Sequence, residues 1–137
     1  MPRRWFWPAA AAASLLLFAG GYTVGRTPDT SRNVGLLRYT LLLYEGPGFN
    51  SGGVPEPELV AEYSAWAGEL AGRGRLVAGE KLGARAWSIG DTDGSRPEPT
   101  GFFIIAARSD EEALELARSC PHLRHGGAVS LRPIEPT

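Results

Sequence analysis

Two short runs, Leu41-Leu42-Leu43 and Phe102-Phe103-Ile104-Ile105, are apolar at every position rather than at every second one. Successive side chains of a strand point to opposite faces of its sheet, so two such strands need both faces kept from water. Around them the periodicity switches between strand and helix. Leu36 to Tyr44 reads as a strand that stops at Gly46-Pro47-Gly48. Leu59, Tyr63, Trp66 and Leu70 then fall on one stripe of a helix that starts at Pro57 and ends at Gly72 and Gly74. Arg75 to Lys81, with a shorter extension from Ala84 to Ile89, reads as a second strand, and Gly90 to Thr100 as a loop. After the third strand, Phe102 to Ala107, Ser109 and Glu112 form a capping box with Asp110 and Glu111 at the positive helix end. That helix buries Ala113, Leu116, Ala117 and Cys120, and Pro121 stops it. Ala128 to Ile134 supplies the last strand.

The order strand, helix, strand, strand, helix, strand predicts an α+β domain of the ferredoxin-like βαββαβ kind over residues 35–137. Two helices cover one face of a four-stranded sheet. The other face is expected to pack against a second copy, which also helps a domain of about 100 residues to bury enough surface. A homodimer is therefore predicted.

The formal net charge of -1 conceals a division. Residues 1–32 carry Arg3, Arg4, Arg26 and Arg32 against Asp29, whereas the remainder is acidic. Trp5 to Gly25 is free of charged residues, follows two arginines and contains the apolar block Ala9 to Phe18. Such a segment is an N-terminal hydrophobic helix acting as a membrane anchor, which needs roughly 20 apolar residues, or a signal peptide cut before Tyr22. Residues 1–25 are read as that signal or anchor and 26–34 as a polar linker, which places the C-terminal domain outside the cytoplasm. No clustered basic patch offers a footprint for nucleic acid. A single Cys excludes an intramolecular disulfide and a multi-cysteine zinc site.

Among groups able to do chemistry, Tyr63 offers a hydroxyl for donating a proton or binding a polar ligand, although its place in the helical stripe with Trp66 equally suits packing. His122 is a pocket-lining polar group or general base, because an imidazole titrates near neutrality. His125, beside Gly126 and Gly127, is expected at the surface. Asp91 and Asp93 sit among turn-forming residues and serve either as acids or in Asx-turns. Arg132 can grip an anion with its fork or pair with Glu80. Cys120, His122 and His125 are close in sequence, but the cysteine belongs to a buried helix face and Pro121 breaks the geometry, so no metal is assigned. No phosphate loop, dinucleotide fingerprint, nucleophile elbow or HExxH helix is present, and no cofactor is expected.

Several short motifs together resemble one known family. They are Gly74-Arg75-Leu76-Val77-Ala78-Gly79-Glu80, Gly101-Phe102-Phe103-Ile104-Ile105, Ser109-Asp110-Glu111-Glu112-Ala113, Cys120-Pro121, Gly126-Gly127 and Arg132-Pro133-Ile134. In order and spacing they resemble the YCII-related family over roughly residues 36–135. The resemblance implies a dimeric α+β barrel. In some members it also implies a His and Asp pair in a cleft, proposed to be catalytic, and a dehydrochlorinase is among the relatives. The family's helix histidine lies eleven positions before the glycine matching Gly74, where this sequence has Tyr63. The family's aspartate falls in the loop that holds Asp91 and Asp93. The resemblance therefore carries over the acid without its histidine.

These readings predict an exported or anchored dimer that binds a small molecule or protein partner in a cleft between helices and sheet, with Tyr63, Trp66, His122 and Arg132 as ligand contacts. The alternatives are a cofactor-free lyase or isomerase, with His122 or Asp93 moving a proton and Tyr63 or Arg132 holding the substrate, and a structural dimerisation module.

Overall fold

The computed structural model describes residues 35–91 and 93–137. The hydrophobic segment and linker expected at 1–34 lie outside the described residues, among which no helix is long and apolar enough to cross a membrane.

The domain is α+β. Its elements run β1 (Leu37–Tyr44), α1 (Glu56–Gly72), β2 (Leu76–Lys81), β3 (Gly101–Ala107), α2 (Asp110–Arg118), α3 (Pro121–Arg124) and β4 (Ala128–Pro133). The strands form one antiparallel sheet in the order β2-β3-β1-β4.

The two runs that are apolar at both parities lie side by side at the centre of this sheet, with Leu41 opposite Phe103 and Leu42 opposite Phe102. Tyr39, Leu41, Leu43, Phe103, Ile105 and Ala107 face the helices and are buried, with Leu76, Val129 and Leu131 packed at the margins. Thr40, Leu42, Phe102 and Ile104 form the alternate row on the other face and are half-buried.

Helix α1 begins one residue before the expected Pro57. Pro55 precedes it and Pro57 sits in its first turn, where a missing N–H costs no intrahelical bond. Leu59, Trp66, Ala67 and Leu70 are its buried residues. The Trp66 ring meets Phe103 edge-on at 5.0 Å, and its indole N–H donates to Ser119 Oγ at 2.8 Å. The helix closes where Gly74 turns into the left-handed region (φ 70°), and Arg75 N–H donates back to the Leu70 carbonyl at 2.8 Å. Helix α2 is capped as its sequence predicts, with Ser109 Oγ accepting from Glu112 N–H at 3.2 Å. Ala113, Leu116, Ala117 and Cys120 are all buried.

Two expectations are corrected. Ala84 to Ile89 is not a strand. The described residues between 82 and 100 have no regular structure, and Trp87 and Ile89 are exposed. An extension of the edge strand β2 would have to pair with the residues ahead of β3, and two of those, Pro97 and Pro99, lack an N–H for a ladder. Pro121 does end the α2 region, but it also opens the short helix α3, whose first turn needs no N–H from it.

Candidate functional site

A cleft of about 90 Å³, open to solvent, lies between the N-terminal half of α1, the ends of β1, β2 and β3, and α3. Two glycines are part of its floor. Gly79 stands opposite Phe103, and Gly101 stands opposite both Leu43 and Lys81, so two positions on the helix side of the sheet carry no side chain. A Cβ on Gly79 would run into the Phe103 ring. The C-terminal half of α1 packs onto the sheet through Trp66 and Leu70, whereas its N-terminal half overhangs the space above these glycines. Leu43, Phe49, Leu59, Val60 and Phe103 make the cleft largely apolar. Its polar groups are Tyr63, His122, Glu45, Glu56, Glu80, Lys81 and Thr100.

His122, the second residue of α3, is 1% exposed. Its Nε2 lies 2.8 Å from the Tyr44 carbonyl and its Nδ1 lies 2.7 Å from the Tyr63 hydroxyl. A carbonyl oxygen only accepts, so Nε2 carries the proton and donates it there. Nδ1 is then left to accept the hydroxyl proton of Tyr63. Burial pushes the His122 pKa down, outweighing the Tyr44 carbonyl and Glu45, which push it up. Burial, aided by the charges of Cys120, Glu45 and Glu62, pushes the Tyr63 hydroxyl far above its ordinary value. Both groups are neutral at neutral pH, and the Tyr63 proton is committed to His122. What the pair presents to the cleft is a fixed hydroxyl oxygen with lone pairs that accept a hydrogen bond.

The backbone after α3 holds this arrangement. Gly127 N–H donates to the His122 carbonyl at 2.9 Å, and a Cβ on Gly127 would fall onto the imidazole ring. The Phe49 ring lies 4.9 Å from the imidazole on the other side. Glu62 on α1 accepts from His125 Nε2 at 2.8 Å and from Arg124 Nη2 at 3.2 Å, which ties α3 to α1. The His125 side chain is 12% exposed, so the expectation of a surface histidine is corrected by this contact.

The structure brings Tyr63 and His122 together and separates the other residues singled out in the sequence. Trp66 is one turn deeper, in the core with Phe103 and Ser119. Asp93 is exposed on the 82–100 loop, where its carboxylate accepts from Ser95 N–H at 3.0 Å and Ser95 Oγ at 2.8 Å. Those bonds lower its pKa and make it the Asx-turn residue of the bland alternative. Asp91 is exposed in the same loop. Arg132 pairs with Thr40 and stands exposed on the face of the sheet away from the helices, so it does not meet Tyr63 and His122 within one chain. Cys120 is buried in the core, where desolvation raises its thiol to about 11 and leaves it a poor thiolate ligand or nucleophile.

Four lining groups carry no motif and were not picked out in the sequence: Glu45, Phe49, Glu56 and Lys81. Their common signal is position beside breakers, next to Gly46-Pro47, Pro55, Pro57 and a strand end. Glu56 Oε1 is removed from water and has no hydrogen-bond partner among the described residues. An apolar cleft with a fixed hydroxyl, a carboxylate that lacks a donor and an amine suits a small organic molecule with one or two polar atoms.

No curated protein matches the chain. The sequence pattern of the YCII-related domain matches residues 37–137, which takes in every strand and helix described above. The chain therefore belongs to the YCII-related domain family.

Proposed function

We propose that this domain binds a small, mostly apolar organic molecule in the α1–sheet cleft, with Tyr63 as its polar anchor. The observation that carries this reading is the Tyr63–His122 hydrogen bond on the wall of an apolar cleft. It fixes the hydroxyl in one orientation before any ligand arrives, so little ordering entropy is lost on binding. In its complete form the reading is a ferredoxin-like domain that dimerises through the outer sheet face as an α+β barrel. Residues 5–25 direct it to or across a membrane, with the domain beyond the cytoplasm.

Equilibrium dialysis of the full chain with phenol, benzyl alcohol and aniline, each able to donate to the Tyr63 oxygen, tests the cleft. At least one of the three is expected to bind, and Tyr63→Phe should weaken that binding about tenfold, the cost of one buried hydrogen bond. Binding unaffected by Tyr63→Phe, or no binding of any of the three, would count against the reading.

A second reading, a cofactor-free lyase or isomerase, draws on the same hydrogen bond. A proton taken up by Tyr63 Oη can be matched by transfer of the hydroxyl proton to His122 Nδ1. The lowered His122 pKa opposes the imidazolium this needs, which is why binding is the preferred conclusion. Asp93 lies apart from this pair, on the exposed loop, where it accepts from Ser95.

A further inference from the structure

Lys81 is the only lysine in the sequence, every other strongly basic residue being arginine. It ends β2 directly opposite Gly101, which in turn lies opposite Leu43. Leu43 faces the helices, and so does Phe103, opposite the neighbouring Gly79. Lys81 therefore stands on the inner face of the sheet, between two glycines, and lines the cleft with Glu56 and Tyr63. An arginine could serve as a counter-charge in that position, but only a lysine supplies an amine able to become neutral and attack.

We propose that Lys81 is a nucleophilic amine that forms an imine with a small aldehyde or ketone held in the cleft, which rests on the binding reading above. Neutral Nζ adds to the carbonyl carbon, forming the C–N bond as the π pair moves to oxygen. The nitrogen loses a proton and the oxygen gains one, giving a carbinolamine. The nitrogen lone pair then expels the hydroxyl, which takes a second proton from Glu56 and leaves as water, and the iminium so formed returns its N–H proton to Glu56 to give the imine. Amine plus carbonyl gives imine plus water, and nothing is oxidised or reduced. Glu56 carries the protons: its Oε1 is out of water with no hydrogen-bond partner among the described residues, and its charge is felt at Lys81. Lys81 is exposed to solvent along the open cleft, and partial desolvation there brings its ammonium down to about 8 despite Glu56 and Glu45, so a fraction is neutral near pH 7.

The sole lysine makes the test simple. The full chain is incubated with benzaldehyde, reduced with sodium borohydride and mapped by peptide mass spectrometry. The only other aliphatic amine is the α-amino group, whose ordinary pKa is also about 8, so titration alone predicts equal labelling of the two. The proposal expects about tenfold more benzyl label at Lys81 than at the α-amine, a gain from holding the aldehyde beside the nucleophile. It also expects competition by benzyl alcohol and no internal label in Lys81→Arg. Equal labelling, or label on the α-amine alone, overturns the imine. Dialysis with the three probes named above then separates the cases: with Tyr63-dependent binding of any of them only the imine fails, and with none the cleft reading fails as well.

Discussion

His122 shows how a residue with several possible roles acquires one. In the sequence it is an imidazole after a proline, open to metal, base or surface readings. In the fold its two nitrogens are assigned by their partners, a carbonyl that can only accept and a hydroxyl left to donate. Its pKa is lowered by burial, so between the folded value and the ordinary 6.5 the unfolded chain holds more protons. Stability then rises with pH in that window and is lost as pH falls below about 6.5. Thermal melts between about pH 5 and about pH 7.5 should show this slope in the wild type and a flatter one in His122→Gln. Tyr63→Phe removes the donor that satisfies Nδ1 and should destabilise the domain by about 1–2 kcal/mol in urea denaturation, the cost of a buried unpaired acceptor. The sequence made both residues candidates. It did not pair them, because 59 positions separate them and the bond depends on how α3 docks on α1.

At the scale of elements, the helices were legible wherever their own pattern specified them. The capping box of α2 is local chemistry, three residues apart, and the fold reproduces it. Ser109→Ala should cost about 1 kcal/mol by the same denaturation measurement. The α1 stripe was legible too, but its members serve different ends: Trp66 and Leu70 reach the core, and Tyr63 stops at the cleft because Gly79 and Gly101 withdraw the floor beneath that end of the helix. Helix α3 has four residues and no period of its own, so a breaker was the natural reading of Pro121. Its geometry is set from outside, by Glu62 on α1 and by Gly127 under the imidazole. Gly127→Ala should push the His122 ring off both partners and lower stability by about 1–3 kcal/mol, as overpacking does. The control is Gly83→Ala, at a position where a Cβ meets nothing.

For the molecule as a whole, the half-buried row of Leu42, Phe102 and Ile104 on the outer sheet face remains the reason to propose a dimer. If that face is the interface, wild-type protein will run as a dimer in size-exclusion light scattering, and Leu42→Glu or Ile104→Glu will convert it to monomer by placing an unpaired charge in the contact. A wild-type monomer at the same concentration would overturn this. Arg132 lies on the same face, opposite Thr40, and is not among the residues that line the cleft.

The amino-acid sequence by itself determined the element order, the two central strands, the cap of α2 and the core stripe of α1. Each follows from a periodicity or a contact within about one helical turn, and such local rules operate before distant segments meet. Only the tertiary structure decided that Tyr63 meets His122, that Asp93 and Arg132 stand elsewhere, and that the sole lysine lines the cleft opposite Gly101. Those outcomes depend on strand register and on the docking of α3. The two central runs, apolar at every position, required covering on both sides. The fold assigns one row to the helices and leaves the other as the face on which a second copy is proposed to pack.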